Sequence, residues 1–179
     1  MFAVIFEVCA KPERRDGYLA LAGVLRPEVE AIEGFISNER FASRSRPGWL
    51  LSLSLWRDEA ALIRWRLHAR HRTAQALGRS EMFADYRLRV GEVVAEDAQP
   101  QGKLATVLEQ PGDAPPPAAI DGDVFASITQ PGHAVALHSW SGHAAAARWR
   151  AALPEGAKLR TVRIIRDYGM FSRAEAPTG

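Results

Sequence analysis

The first strand-like run, Phe2 to Cys9, is apolar in both phases of its alternation. Phe2, Val4, Phe6 and Val8 fall on one face, and Ala3 and Ile5 on the other. A strand apolar on both faces belongs in a sheet that is covered on both sides. Pro12 and Glu13 open a helical stretch to about Glu33, with Leu19, Ala22, Leu25 and Val29 at helical spacing. Pro27 should bend or divide it, and Gly34 ends it. Phe35 to Ser43 reads as a second strand. After a loop holding Arg46, Pro47 and Gly48, Trp49 to Trp56 reads as a third. There Leu51, Leu53 and Leu55 alternate with Ser52 and Ser54, and the serines leave room on their face for something to pack closely. Asp58 is a natural N-cap and Glu59 suits the positive end of the helix dipole, for a helix reaching Leu77 and stopping near Gly78. Asp85 to Val94 is the fourth strand.

This order, strand–helix–strand–strand–helix–strand, is the split βαβ pattern of the ferredoxin-like fold. Residues 96–102 are polar and aperiodic and read as a linker. Beyond them come strands at Leu104 to Gln110, Val124 to Gln130 and Ala134 to Trp140, a helix at about Gly142 to Leu153, and a strand from Leu159. The proline-rich stretch 111–123 is too short for a counterpart of the first helix. PGWLLSLSLWRDEAALIRWR (47–66) and PGHAVALHSWSGHAAAARWR (131–150) align without a gap, with 9 of 20 positions identical. The sequence therefore predicts an α+β protein of two tandem ferredoxin-like copies, the second degenerate with its first helix lost. Residues 1–95 form the first copy and 103–173 the second, packed sheet to sheet as an intrachain pseudo-dimer.

Composition narrows the function classes. The 179 residues are 47% hydrophobic and 25% charged, with a net charge of +2. No apolar run is long enough to span a bilayer, and the N-terminus carries no basic leader, so a cytoplasmic protein is expected. The single Cys9 fits a reducing compartment and a buried place in the first strand. So small a net charge, without an aromatic strand motif, argues against nucleic acid as a partner. His133, His138 and His143 lack company at metal-ligand spacing, so no metal site is expected. Twenty arginines stand against three lysines. Arg64, Arg66, Arg70, Arg72 and Arg79 cluster, either around an acidic ligand or as a solvated helix face whose stems cover apolar surface.

WRDEAALIRWR (56–66), followed by His71-Arg72, Gly78-Arg79 and DYRLRV (85–90), resembles the antibiotic biosynthesis monooxygenase superfamily. GFIS (34–37) with Glu39, Arg40 and Phe41 strengthens the likeness. It covers residues 1–94, and 103–171 through the internal repeat. The resemblance implies a dimeric α+β barrel. Some members oxygenate polycyclic phenols with molecular oxygen and neither metal nor flavin; others bind and degrade heme. The heme-degrading branch places an asparagine on its first strand, a tryptophan on its second helix and a histidine ten residues later. Those positions here are Phe6, Trp65 and Gln75.

Continuous helical spacing puts Ile63, Leu67, His71 and Ala74 on one stripe, so that His71 faces the sheet and Trp65 points elsewhere, with His68 between them. Three roles for His71 are open: a hydrogen-bonded core histidine, a general base on a phenol, or an axial heme ligand. His71 is the candidate catalytic residue, and Trp65, His68, Arg72 and Tyr86 are candidate substrate contacts. The expected function is cofactor-independent monooxygenation of a small aromatic, phenolic or quinone-like compound. The alternatives are heme binding or degradation, and a non-catalytic small-molecule binding or dimerisation module. No cofactor is predicted under the first reading, and heme under the second. A small molecule is the expected partner, and homodimerisation of whole chains stays open.

Overall fold

The structure is a computed structural model describing residues 1–95, 97–112 and 122–177. Glu96, at the head of the linker, and 113–121, in the proline-rich stretch, lie outside the described residues. Eight strands form one closed barrel in the order β1-β3-β2-β6-β7-β5-β8-β4. The first half supplies β1 (Phe2–Ala10), β2 (Phe35–Ser43), β3 (Trp49–Trp56) and β4 (Phe83–Val94). The second supplies β5 (Leu104–Pro111), β6 (Gly122–Ser127), β7 (His133–Trp140) and β8 (Leu159–Gly169). Each half runs in the same internal order, β2-β3-β1-β4 and β6-β7-β5-β8.

Both seams join equivalent strands, as the repeat requires. Phe41 pairs with Ser127, Ala42 with Ala126 and Ser43 with Phe125. Because Phe41, Ala42 and Ser43 recur 84 residues on as Phe125, Ala126 and Ser127, this seam is two-fold symmetric about the two alanines. The other seam joins β4 to β8, from Arg87 opposite Gly169 to Val94 opposite Thr161, with one register shift after Val90. The predicted sheet-to-sheet pseudo-dimer thus closes at both edges, over three residue pairs at the β2–β6 seam and eight at the β4–β8 seam.

The inward phase of each strand fills the barrel. Ile5, Phe41, Leu51, Val107, Phe125 and Val135 are each at most 1% exposed and belong to one cluster. One end is polar. Arg89, 2% exposed, pairs with Glu7 and donates to Ser139 Oγ at 2.8 Å. Arg46 bridges Glu7 at 2.6 Å and Asp123 at 2.9 Å. Charges this deep persist only when paired.

The outward phase of the first half carries the helices. Residues 12–33 break into a short 3-10 turn (Pro12–Arg14), α1 (Arg15–Val24) and α2 (Arg26–Glu30), with Pro27 in the first turn of α2, where its missing N–H costs nothing. Gly34 adopts φ 91°, which favours glycine. Asp58 caps α3 (Glu59–Leu67), accepting from Ala61 N–H at 2.8 Å.

The predicted continuous helix 58–77 is corrected. His68, at ψ 129°, breaks it, and α4 (Ala69–Leu77) starts in a new direction. Neither proline nor glycine marks that break. Glu28 of α2 lies 3.5 Å from His68 Nδ1 and pairs with Arg70, tying the break to the helices of the first copy. A single π-helical turn (Gly78–Met82) leads into β4, two residues earlier than the sequence implied. In the second half α5 (His143–Ala151) is the counterpart of α3.

Two measurements check this architecture. Truncation after residue 95 exposes Ile5, Leu51 and Phe41 and both seam strands. The fragment is expected to dimerise or aggregate in size-exclusion chromatography with light scattering, and a well-behaved monomer would contradict the fold. Arg89→Leu leaves Glu7 with Arg46 alone and should lower stability by about 3 kcal/mol in a urea titration.

Candidate functional site

The outward face of the first half is the floor of a cavity of about 990 Å³, roofed by α1 to α4. Strand pairing fixes the floor in rows. One row runs Asn38–Ser54–Val4–Val90–Arg166, and the next Arg40–Ser52–Phe6–Leu88–Tyr168. A third runs Ala42–Leu50–Val8–Tyr86. Ser52 and Ser54, noted in the sequence for their smallness, give the floor its depth. Asn38 donates from its amide to Ser52 Oγ at 2.9 Å and so holds that hydroxyl in place.

The floor does not end with the first copy. Arg166 and Tyr168 come from β8, and Arg173 and Pro177 from the segment after it also line the cavity. Arg173 donates to the Tyr86 hydroxyl and lies over the Tyr168 ring, 5.8 Å from its centre. A hint of this was available, since the Asp-Tyr pair of β4 recurs at Asp167-Tyr168.

The second copy shows what happens without the space. There Gly122 and Ala136 take the places of Asn38 and Ser52, and His138 that of Ser54. The His138 ring, 3% exposed, fills the region above Gly122, where a Cβ would sit 1.9 Å from its Nδ1. Trp149 closes on it edge-on at 4.7 Å. The His138 region of the equivalent face is therefore filled, and among the described residues the second half keeps a smaller pocket of about 300 Å³ beside α5.

Of the sequence-derived candidates, His71, Trp65, Arg72 and Tyr86 all line the chamber. His68 does not; it stacks on Trp65 at 5.5 Å and turns its Nδ1 towards Glu28. The expected stripe Ile63, Leu67, His71 and Ala74 faces the cavity, so Leu67 is 45% exposed instead of packed in a core. The larger correction concerns Trp65. The break at His68 brings its indole face to face with His71, centres 4.2 Å apart and planes 15° from parallel. The two were expected on different faces of one helix.

His71 Nδ1 lies 2.9 Å from the Trp65 carbonyl, which can only accept. That nitrogen therefore carries the proton and Nε2 keeps its lone pair. Gln75, 3.3 Å from the same nitrogen, must turn its amide oxygen towards it. Burial pushes the imidazole down to about 4, against the opposing pull of the Trp65 carbonyl, with His68 adding slightly. His71 is thus a neutral ring with one free acceptor. Sequence reasoning missed Arg40 and Tyr18 as site residues. Tyr18 sits 8% exposed on α1 against Phe83; burial pushes its phenol up, against the hydrogen bond and charge of Arg40.

The antibiotic biosynthesis monooxygenase family pattern matches residues 1–77. "Jasmonate monooxygenase ABM" of Pyricularia oryzae is 38% identical to this chain, over 99% of it and 97% of the relative. The chain belongs to the antibiotic biosynthesis monooxygenase family. A second relative, "Uncharacterized protein YqjZ" of Bacillus subtilis, is 32% identical over 51% of this chain and 78% of its own length. Among solved structures, Rv0793 from Mycobacterium tuberculosis is 21% identical, with a TM-score of 0.48 over 54% of this chain and 98% of its own.

Within this family the heme-degrading pattern does not fit the chamber. Phe6, at the asparagine position, is committed to ring contacts with Phe83 at 5.8 Å and Tyr86 at 5.7 Å. Gln75, at the histidine position, supplies an amide in place of an axial nitrogen. Among the described residues no three His, Cys, Asp or Glu side chains gather as a metal site, and no helix is long and apolar enough to cross a membrane.

The state of His71 predicts a pH effect on stability. Its ordinary value is 6.5 and its folded value about 4. Above 6.5 the ring is neutral folded or unfolded and contributes nothing. As pH falls from 6.5 to 4 the unfolded chain takes up a proton that the folded chain refuses, so stability falls, by at most about 3 kcal/mol. Urea midpoints across this range should decline less for His71→Gln than for the wild type.

Proposed function

We propose that this protein is a cofactor-independent monooxygenase whose reaction chamber is the cavity of the first copy. Its substrate is a small aromatic, phenolic or quinone-like compound. What supports the reading is one arrangement: neutral His71, its Nε2 lone pair free, held against Trp65 in a cavity whose wall is rich in arginine.

The chemistry balances without an external reductant. His71 Nε2 accepts the proton of a phenolic hydroxyl, and the phenolate donates electrons to molecular oxygen as a new C–O bond forms. The resulting hydroperoxide loses water and leaves a quinone carbonyl. One oxygen atom stays in the product and the other departs as water. A histidine at about 4 facing a phenol near 10 is about six units short, or about 8 kcal/mol. His71 alone cannot drive the ionisation. The cationic wall supplies the remainder by holding the phenolate, which is electrostatic stabilisation in a low-dielectric chamber.

Oxygen uptake by chelator-treated protein, with a panel of polycyclic phenols as substrates, tests the proposal. Uptake with stoichiometric quinone product is expected, falling 100-fold or more in His71→Ala on the usual scale for a lost general base. No uptake, together with a saturable His71-dependent Soret shift on hemin titration, would replace oxygenation by heme binding. Neither signal would leave the binding-module reading.

A further inference from the structure

Seven arginines and a single acid, Glu30, line the chamber. Two of the seven are already neutralised, Arg26 by Glu30 at 2.7 Å and Arg166 by Glu59 at 2.8 Å. The remaining five, Arg40, Arg66, Arg72, Arg79 and Arg173, have no acidic partner among the described residues. A cavity that is apolar over much of its wall and carries this uncompensated charge is built to receive an anion.

Arg40 differs from the other four. They stand on α3, α4, the π turn and the C-terminal segment, whereas Arg40 rises from the floor itself, in the row of Ser52 and Phe6. Its Nε is buried and lacks a hydrogen-bond partner. Its guanidinium lies close enough to the Tyr18 hydroxyl for its charge to act on that phenol. Glu39, its neighbour in sequence, points to the other face of the strand and is engaged by Ser127 Oγ at 2.6 Å and His133 Nδ1 at 3.0 Å. An arginine held this way, with a buried donor unused, is an open half of a bidentate carboxylate contact.

The placement also separates this point from the reacting end. Tyr18 packs with Val8, Leu50, Phe83 and Tyr86. Trp65, stacked on His71, packs with Val29, Trp56 and Ala61 around Val4. Arg40 stands in the row of Phe6, two residues from Val4 on β1, and Tyr18 packs at the Val8 end, so the two ends lie roughly 7–13 Å apart along the strand. A ligand spanning the two ends is the size of a small organic acid with an apolar body.

We infer that the substrate is an apolar organic acid whose carboxylate is held by Arg40 and the Tyr18 hydroxyl, with the reacting carbon presented towards His71. This rests on the chamber being the substrate site. Arg40 is then the residue that sets specificity for an acid over its neutral ester, and Arg66, Arg72 and Arg79 at the rim raise the local concentration of the anion.

Calorimetric binding of two matched pairs tests it: jasmonic acid with methyl jasmonate, and 4-hexylbenzoic acid with its methyl ester. Each is measured on the wild type, Arg40→Gln, Arg40→Lys and Ser54→Phe, the last filling the floor. The wild type should prefer each acid roughly tenfold to hundredfold, the usual worth of hydrogen bonds to a charged group. Arg40→Gln should erase that preference while binding the esters as before, which also reports that it folds, and Arg40→Lys should restore part of it. Acid and ester bound equally, with both weakened by Ser54→Phe, would overturn the carboxylate contact and leave the chamber standing. An acid preference surviving in Arg40→Gln would overturn the assignment to Arg40. Binding of acids and esters that Ser54→Phe does not touch, or no binding of any probe, would overturn the chamber reading and this inference together.

Discussion

A four-stranded sheet whose two faces are both apolar has to be covered twice, and everything else in this molecule follows from how that is done. Helices α1 to α4 cover one face of the first sheet. The second sheet covers the other, and the sheets close on each other at two seams. The seam at Ala42 and Ala126 is symmetric because the two copies carry the same residues there. What would otherwise be an interface between two chains is contained within one. The polar plug of Glu7, Arg89, Arg46 and Asp123 finishes one end of the barrel, where hydrophobic filling stops.

The two copies treat the outward face of their sheets differently. His138 stands where the first copy has Ser54, over a glycine that makes room for it, and tryptophans close the gap. The first copy bears the cost of an empty volume in exchange for a chamber. The relation is still two-way, since β8 and the residues beyond it put Arg166, Tyr168 and Arg173 into the wall of the first copy's cavity. The site is a product of the fused barrel and not of the first copy alone.

Inside that chamber, burial and charge act in opposite senses on different groups. Burial keeps His71 neutral and the Tyr18 phenol protonated, so both are available as hydrogen-bonding groups across the ordinary pH range. The arginines stay charged, and their field in a partly water-excluded volume favours any oxyanion brought or formed there.

The strand positions were legible in the sequence because period-two alternation and turn residues are local signals: β2 and β3 match residue for residue, and Asp58 caps as its side chain demands. The repeat was legible too, and with it the pairing of one sheet against a second. His71, Trp65, Arg72 and Tyr86 could be named as chamber residues from motif order alone. Three things were decided only by tertiary structure. The break at His68 has no proline or glycine to announce it and lies beside Glu28 from a different helix; it turns Trp65 onto His71 and takes His68 out of the site. The closing of the barrel across β4 and β8 brings residues 80 apart in sequence into one floor. And Arg40, one of twenty arginines in the sequence, acquires its character only from what surrounds it: a buried, unused donor cannot be seen in a string of residues, because solvation and partnership belong to the folded chain.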